Sequence, residues 1–178
     1  MEFRSQSYQL QLIRGYLASV SGLILIAYFM SQVGSARFAE TIPFIEDNPA
    51  FYHMLIVAPS EELVFRFFVP LLLMVVIGVD YLVGGIVAGI LFGLAHWWAY
   101  GQNSIQLATA ILAGIWQAIV VYFFSTKQDE SFSFKPGLLA AILGHGTYNV
   151  LVTVVPEYAL VVGIVSGLGF LGTLLVRQ

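Results

Sequence analysis

The chain has 178 residues, of which 59% are hydrophobic, 10% are charged and none is cysteine; its mean hydropathy is +0.88. A water-soluble domain carries about 25% charged residues, so this composition belongs in a bilayer and excludes a secreted disulfide scaffold and a disordered tail. The net charge of −3, with no basic stripe, excludes nucleic acid as a partner, and the lack of cysteine excludes thiol catalysis and Cys-ligated metal.

A transmembrane helix needs about 20 mostly apolar residues, and six such runs follow one another. They are Leu12 to Val33, Phe51 to Val79, Tyr81 to Tyr100, Ser104 to Phe124, Gly137 to Val155 and Tyr158 to Val176. The fold class is therefore all-α: a polytopic bundle of about six transmembrane helices forming one integral membrane domain over residues 1–178. The second run is overlong and carries Pro59 and Pro70, while the tight connection at Asp80 predicts an antiparallel hairpin. Between spans, Arg37 to Asn48 suits a helix lying at the interface, and Ser125 to Pro136 reads as a polar loop. Arg4 and Arg14 ahead of an apolar stretch also fit a signal peptide, but an uncleaved first span explains the same pattern. Arg4, Arg14, Lys127, Lys135 and Arg177 fall on one side and only Arg37 on the other, which predicts both termini in the cytoplasm.

One cluster of charge has no place in this topology. Glu61, Glu62 and Arg66 lie inside the second span, where ionisable groups must face protein or trapped water. At about 100° per residue, Glu62 and Arg66 share a face and can pair, whereas Glu61 is turned away from both. Arg66 then holds Glu62 ionised and leaves Glu61 free to exchange a proton; the competing reading is an ion pair that only fixes helix packing. Pro59 and Pro70 break the backbone ladder on either side, which leaves two forms open: a kinked continuous helix, or a fresh helix start capped by Ser60 that places both acids at a favourable dipole end.

Two further spans contribute polar groups. His96 follows Phe92 by four residues beside a stripe of Gly85, Gly89 and Gly93, a spacing that lets another helix approach closely. His145 and Asn149 are four apart on the fifth span, with Gly144 and Gly146 giving close backbone access. His53, beside Tyr52 near the start of the second span, reads as interfacial.

Taken in order, Glu-Glu-x-x-x-Arg, Phe-x-x-x-His and His-x-x-x-Asn resemble the CPBP family of CAAX-protease and bacteriocin-processing enzymes, also called the Abi family. The resemblance runs from Glu61 to Asn149, about half the chain, with all three motifs matched. It implies a glutamate-dependent intramembrane endopeptidase of a prokaryotic cell membrane, with its catalytic core at residues 51–155. In that scheme Glu61 and His96 activate water, His145 and Asn149 stabilise the oxyanion, and Glu62, Arg66 and Phe92 support the site. The implied partner is a membrane-associated protein or peptide, carrying a C-terminal sorting tail or a bacteriocin- or CAAX-type site, in contact with the lipid bilayer; no cofactor or metal is implied. Counting residues from the cytoplasmic ends puts the site in the middle to outer half of the membrane. Three alternatives remain at this level: a zinc hydrolase using the two histidines and a glutamate, a proton-linked transporter, and a non-catalytic bacteriocin-immunity protein.

Overall fold

The computed structural model describes residues 8–33, 49–97, 102–128, 131–133 and 135–175. Among them, six helical rods pack side by side. The first is α1 (Tyr8–Val33). The second, α2, is unbroken from Pro49 to Ile77 but changes its winding: α over Pro49–Tyr52, π over His53–Val57, α over Ala58–Glu62, π over Leu63–Phe68 and α over Val69–Ile77. There follow α3 (Tyr81–Ala95), α4 (Ser104–Phe124), α5 (Lys135–Val154) and α6 (Pro156–Leu175). Four of these, α1, α4, α5 and α6, are individually long and apolar enough to cross a membrane. The expected interfacial helix at Arg37 to Asn48 lies outside the described residues.

Two sequence expectations are corrected. The polar loop after α4 contains a small antiparallel ladder, β1 (Thr126–Gln128) with β2 (Ser131–Ser133), paired as Lys127 opposite Phe132. The third span stops at Ala95 rather than Tyr100. Arg14 stands near the start of α1, at the span end expected of it, and is buried there: its guanidinium donates to the Thr173 carbonyl near the end of α6. The cation thus meets the negative end of a helix dipole and ties the outermost helix to the bundle.

The α2–α3 hairpin is built from local signals. Gly78, at φ 78°, ends α2 in the left-handed conformation and donates its N–H to Met74. Asp80 then caps α3 by accepting the Val83 N–H at 2.9 Å. Along α3 the glycine stripe does what its spacing predicts: a Cβ on Gly89 would sit 2.6 Å from the Ile115 nitrogen, and one on Gly85 would sit 2.9 Å from the Ala118 Cβ. The α3 and α4 backbones therefore nearly touch, which only small residues permit. On the other side α1 lies against α4, α5 and α6. There Ser19 and Gln117 exchange buried hydrogen bonds at 2.9 to 3.0 Å, while Val20, Ile24 and Leu151 form an apolar cluster.

Both π turns answer a proline. Pro70 has no N–H to give the Arg66 carbonyl four residues earlier, and an unmet backbone carbonyl at membrane depth is costly. The second π turn opens the ladder at that point, and the buried Tyr81 hydroxyl donates to the Arg66 carbonyl at 2.8 Å. Tyr81→Phe leaves that carbonyl without its donor and is expected to cost about 1–3 kcal/mol, read as a lower Tm of the detergent-solubilised protein. An unchanged Tm would show that the hydroxyl is dispensable. Ser60 is no helix start: its hydroxyl donates back to the Val57 carbonyl at 2.9 Å, and the backbone at Val57 and Leu63 stays right-handed helical. The continuous-rod alternative is the correct one, and the dipole argument for Glu61 and Glu62 does not apply.

Candidate active site

The three motifs converge. His96 ends α3, and its ring lies 4.3 Å from the Phe92 ring while Nδ1 donates to the Phe92 carbonyl at 2.7 Å. The four-residue spacing therefore serves twice, for ring packing and for a side-chain bond to a carbonyl that also accepts the His96 backbone N–H at 3.3 Å. With Nδ1 committed to a carbonyl, which only accepts, Nε2 is the nitrogen that meets Glu61, 3.2 Å from Oε1. A carboxylate and an imidazole lone pair cannot hold that contact without a proton between them. Glu61 and His96 thus form a pair sharing one proton.

The second histidine is fixed by the second acid. His145 Nδ1 lies 2.7 Å from Glu62 Oε1, and its Nε2 points towards Glu61, 3.6 Å from Oε2. Glu62 in turn meets Arg66, with Nε 3.3 Å from Oε2, the (i, i+4) pair that the spacing predicts. His145 therefore bridges two acids that a helical wheel turns about 100° apart. The Phe92 ring supports the whole arrangement: the Arg66 guanidinium carbon is 4.7 Å from its centroid, and the His145 ring meets its edge at 6.0 Å.

Exposure separates the two acids. The Glu61 and His96 side chains are 22% and 18% exposed, whereas Glu62 and Arg66 are wholly enclosed. Glu61 and His96 can meet water and substrate; Glu62 and Arg66 can act only through His145. Asn149 is half-buried one turn beyond His145 on α5. Among the described residues, no hydrogen bond or ion pair joins its side chain to Glu61, His96 or His145.

Two readings of the sequence change here. Gly144 and Gly146 admit neighbouring helices rather than opening the His145 backbone: a Cβ on Gly144 would meet Ser19 of α1, and one on Gly146 would lie 2.7 Å from Met54 Sδ in α2. His53 is a neighbour of the cluster, within electrostatic range of Glu61 and His145. Its signal was hidden, because in an α-helix a residue eight positions from Glu61 falls about 80° off its face.

A family model described as type II CAAX prenyl endopeptidase Rce1-like matches residues 49–151, more than half of the chain and the whole of the site just described. The chain belongs to the Rce1-like family. This is a protease family within the CPBP group, so the sequence resemblance holds, and the chain is a multi-pass integral membrane protein of a hydrolase family. Comparison with curated proteins and with solved structures finds no match.

Proposed function

We propose that the protein is a glutamate-dependent intramembrane endopeptidase that cleaves a membrane-associated protein or peptide of CAAX type. The observation that carries this reading is the Glu61–His96 pair, 3.2 Å apart, partly open, and anchored through His96 Nδ1. Water attacks the scissile carbonyl while the pair takes its proton. The tetrahedral oxyanion accepts hydrogen bonds from His145 Nε2–H and the Asn149 amide. Collapse breaks the C–N bond, and the pair returns the proton to the leaving amine, giving a free amine and a carboxylic acid that ionises by losing its own proton to water.

The residues behind His145 support its role. Nδ1 is already directed at Glu62, which Arg66 holds as a carboxylate, so Nε2 is the nitrogen left for the oxyanion. To donate from both nitrogens the ring must be protonated on both, and the enclosed carboxylate is a suitable counterion for that state.

The test uses the full-length protein in proteoliposomes with an internally quenched, farnesylated peptide ending in a CAAX tetrapeptide, alongside its unprenylated counterpart. Asn149→Ala is expected to lower kcat by about 10²–10³-fold with KM little changed, since the oxyanion forms only after binding. A wild-type kcat in this variant would remove Asn149 from the mechanism. Cleavage of both peptides at equal rates would remove the prenyl requirement while leaving the chemistry.

A further inference from the structure

The rod that carries Glu61 also carries His53, and the winding between them is what aligns the two. Eight α-helical residues advance about 800°, or about 80° past two full turns. The π turn at His53–Val57 is wider than an α turn and absorbs much of that surplus, which brings His53 back over the Glu61 face. Helical side chains lean towards the N-terminus, so the Glu61 carboxylate tilts in the direction of His53. His53 Nδ1 is enclosed and has no hydrogen-bond partner among the described residues.

The level of His53 matches that of Asn149. A Cβ on Gly146 would contact Met54 and Ala58, and α5, three spans after α2, runs antiparallel to it. One turn further along α5, Asn149 therefore lies level with the stretch of α2 that holds His53, while Glu61 and His145 meet one level below. His53 and Asn149 thus stand at the same depth on the two rods that face each other there.

We propose that His53 is a substrate-holding residue of this site, its Nδ1 engaging a backbone N–H or C=O of the peptide next to the scissile bond. This rests on the endopeptidase reading above, and the two are tested separately. Wild-type cleavage of the farnesylated CAAX peptide decides that reading. The affinity of the same peptide, fluorescently labelled, for the Glu61→Gln protein decides the role of His53 without any turnover.

In the Glu61→Gln background, adding His53→Phe or His53→Ala is expected to raise Kd about three- to tenfold, the range for one lost hydrogen bond. His53→Asn, which keeps a polar atom near the Nδ1 position, is expected to stay close to the parent. His53→Phe binding as tightly as the parent would overturn the proposal. Equal weakening by all three variants would overturn it too, because the ring would then matter only for packing. Binding without wild-type cleavage would sink the endopeptidase reading and leave His53 to be judged on binding; neither binding nor cleavage would sink both.

Discussion

Glu61→Gln is expected to lower kcat/KM by about 10²–10⁴-fold, the usual contribution of a positioned general base, while leaving Tm near that of the wild type. The amide has nearly the carboxylate's shape, and its NH2 can donate to the Nε2 lone pair of a neutral His96, 3.2 Å away, whose Nδ1–H keeps the Phe92 carbonyl, but it cannot take a proton from water. Because the Glu61 side chain is 22% exposed, the neutral amide also leaves no buried charge uncompensated. The stability readout therefore separates lost chemistry from lost fold. A Glu61→Gln protein that keeps full activity would refute the glutamate mechanism and favour a non-catalytic role. Metal analysis of the active wild type addresses the zinc alternative: stoichiometric zinc whose removal abolishes cleavage would move Glu61, His96 and His145 from base and donors to ligands. In cells, the same variant is expected to accumulate an uncleaved precursor, visible by comparing membrane and secreted proteins with the wild type.

The spans and the intramembrane acids were legible for one reason: in a chain with 10% charged residues, a charge inside an apolar run has to be explained. Glu61, Glu62 and Arg66 stood out on that ground, and the pairing of Glu62 with Arg66 follows from (i, i+4) spacing alone. Arg14 escaped because it lies near the start of α1, among apolar and polar residues alike, so position gave no sign that it turns inward to the Thr173 carbonyl. The end of α3 escaped because hydropathy carries on through Trp97 and Trp98, whereas the helix stops at Ala95, where the His96 ring joins its own backbone N–H on the Phe92 carbonyl. Most consequential are the π turns. A fixed 100° wheel presupposes uniform winding, yet Pro59 and Pro70 each impose a local change. Those changes supply the Tyr81 contact to Arg66 and bring His53 into line. The prolines were visible; the way a neighbouring helix would meet the freed carbonyl was not.

Arg66→Met is expected to be the most destabilising single change at the site, by about 3–5 kcal/mol, because it strips the counterion from a fully enclosed carboxylate. Arg66 and Glu62 both have side chains of zero exposure, so solvent does not screen the loss. The ion pair is itself imperfect: its 3.3 Å contact is poorly aligned, and Arg66 Nη1 and Nη2 have no hydrogen-bond partner among the described residues. Apolar residues that avoid those unmet groups often replace such a pair at little cost. The double variant Glu62→Gln with Arg66→Met is therefore expected to regain most of the Tm lost in Arg66→Met alone. Activity is expected to behave differently. The amide introduced by Glu62→Gln can still accept the His145 Nδ1–H, but without a negative charge it no longer supports an imidazolium that donates from Nε2 as well. The double variant should therefore fold well and remain about 10–100-fold less active, the usual cost of losing the partner that orients and charges a working histidine. If its Tm stays as low as that of Arg66→Met, the pair is a folding device. If its activity returns along with its Tm, a charged His145 is not required: the introduced amide can donate its NH2 to Nδ1, and the neutral ring then supplies the oxyanion from Nε2–H.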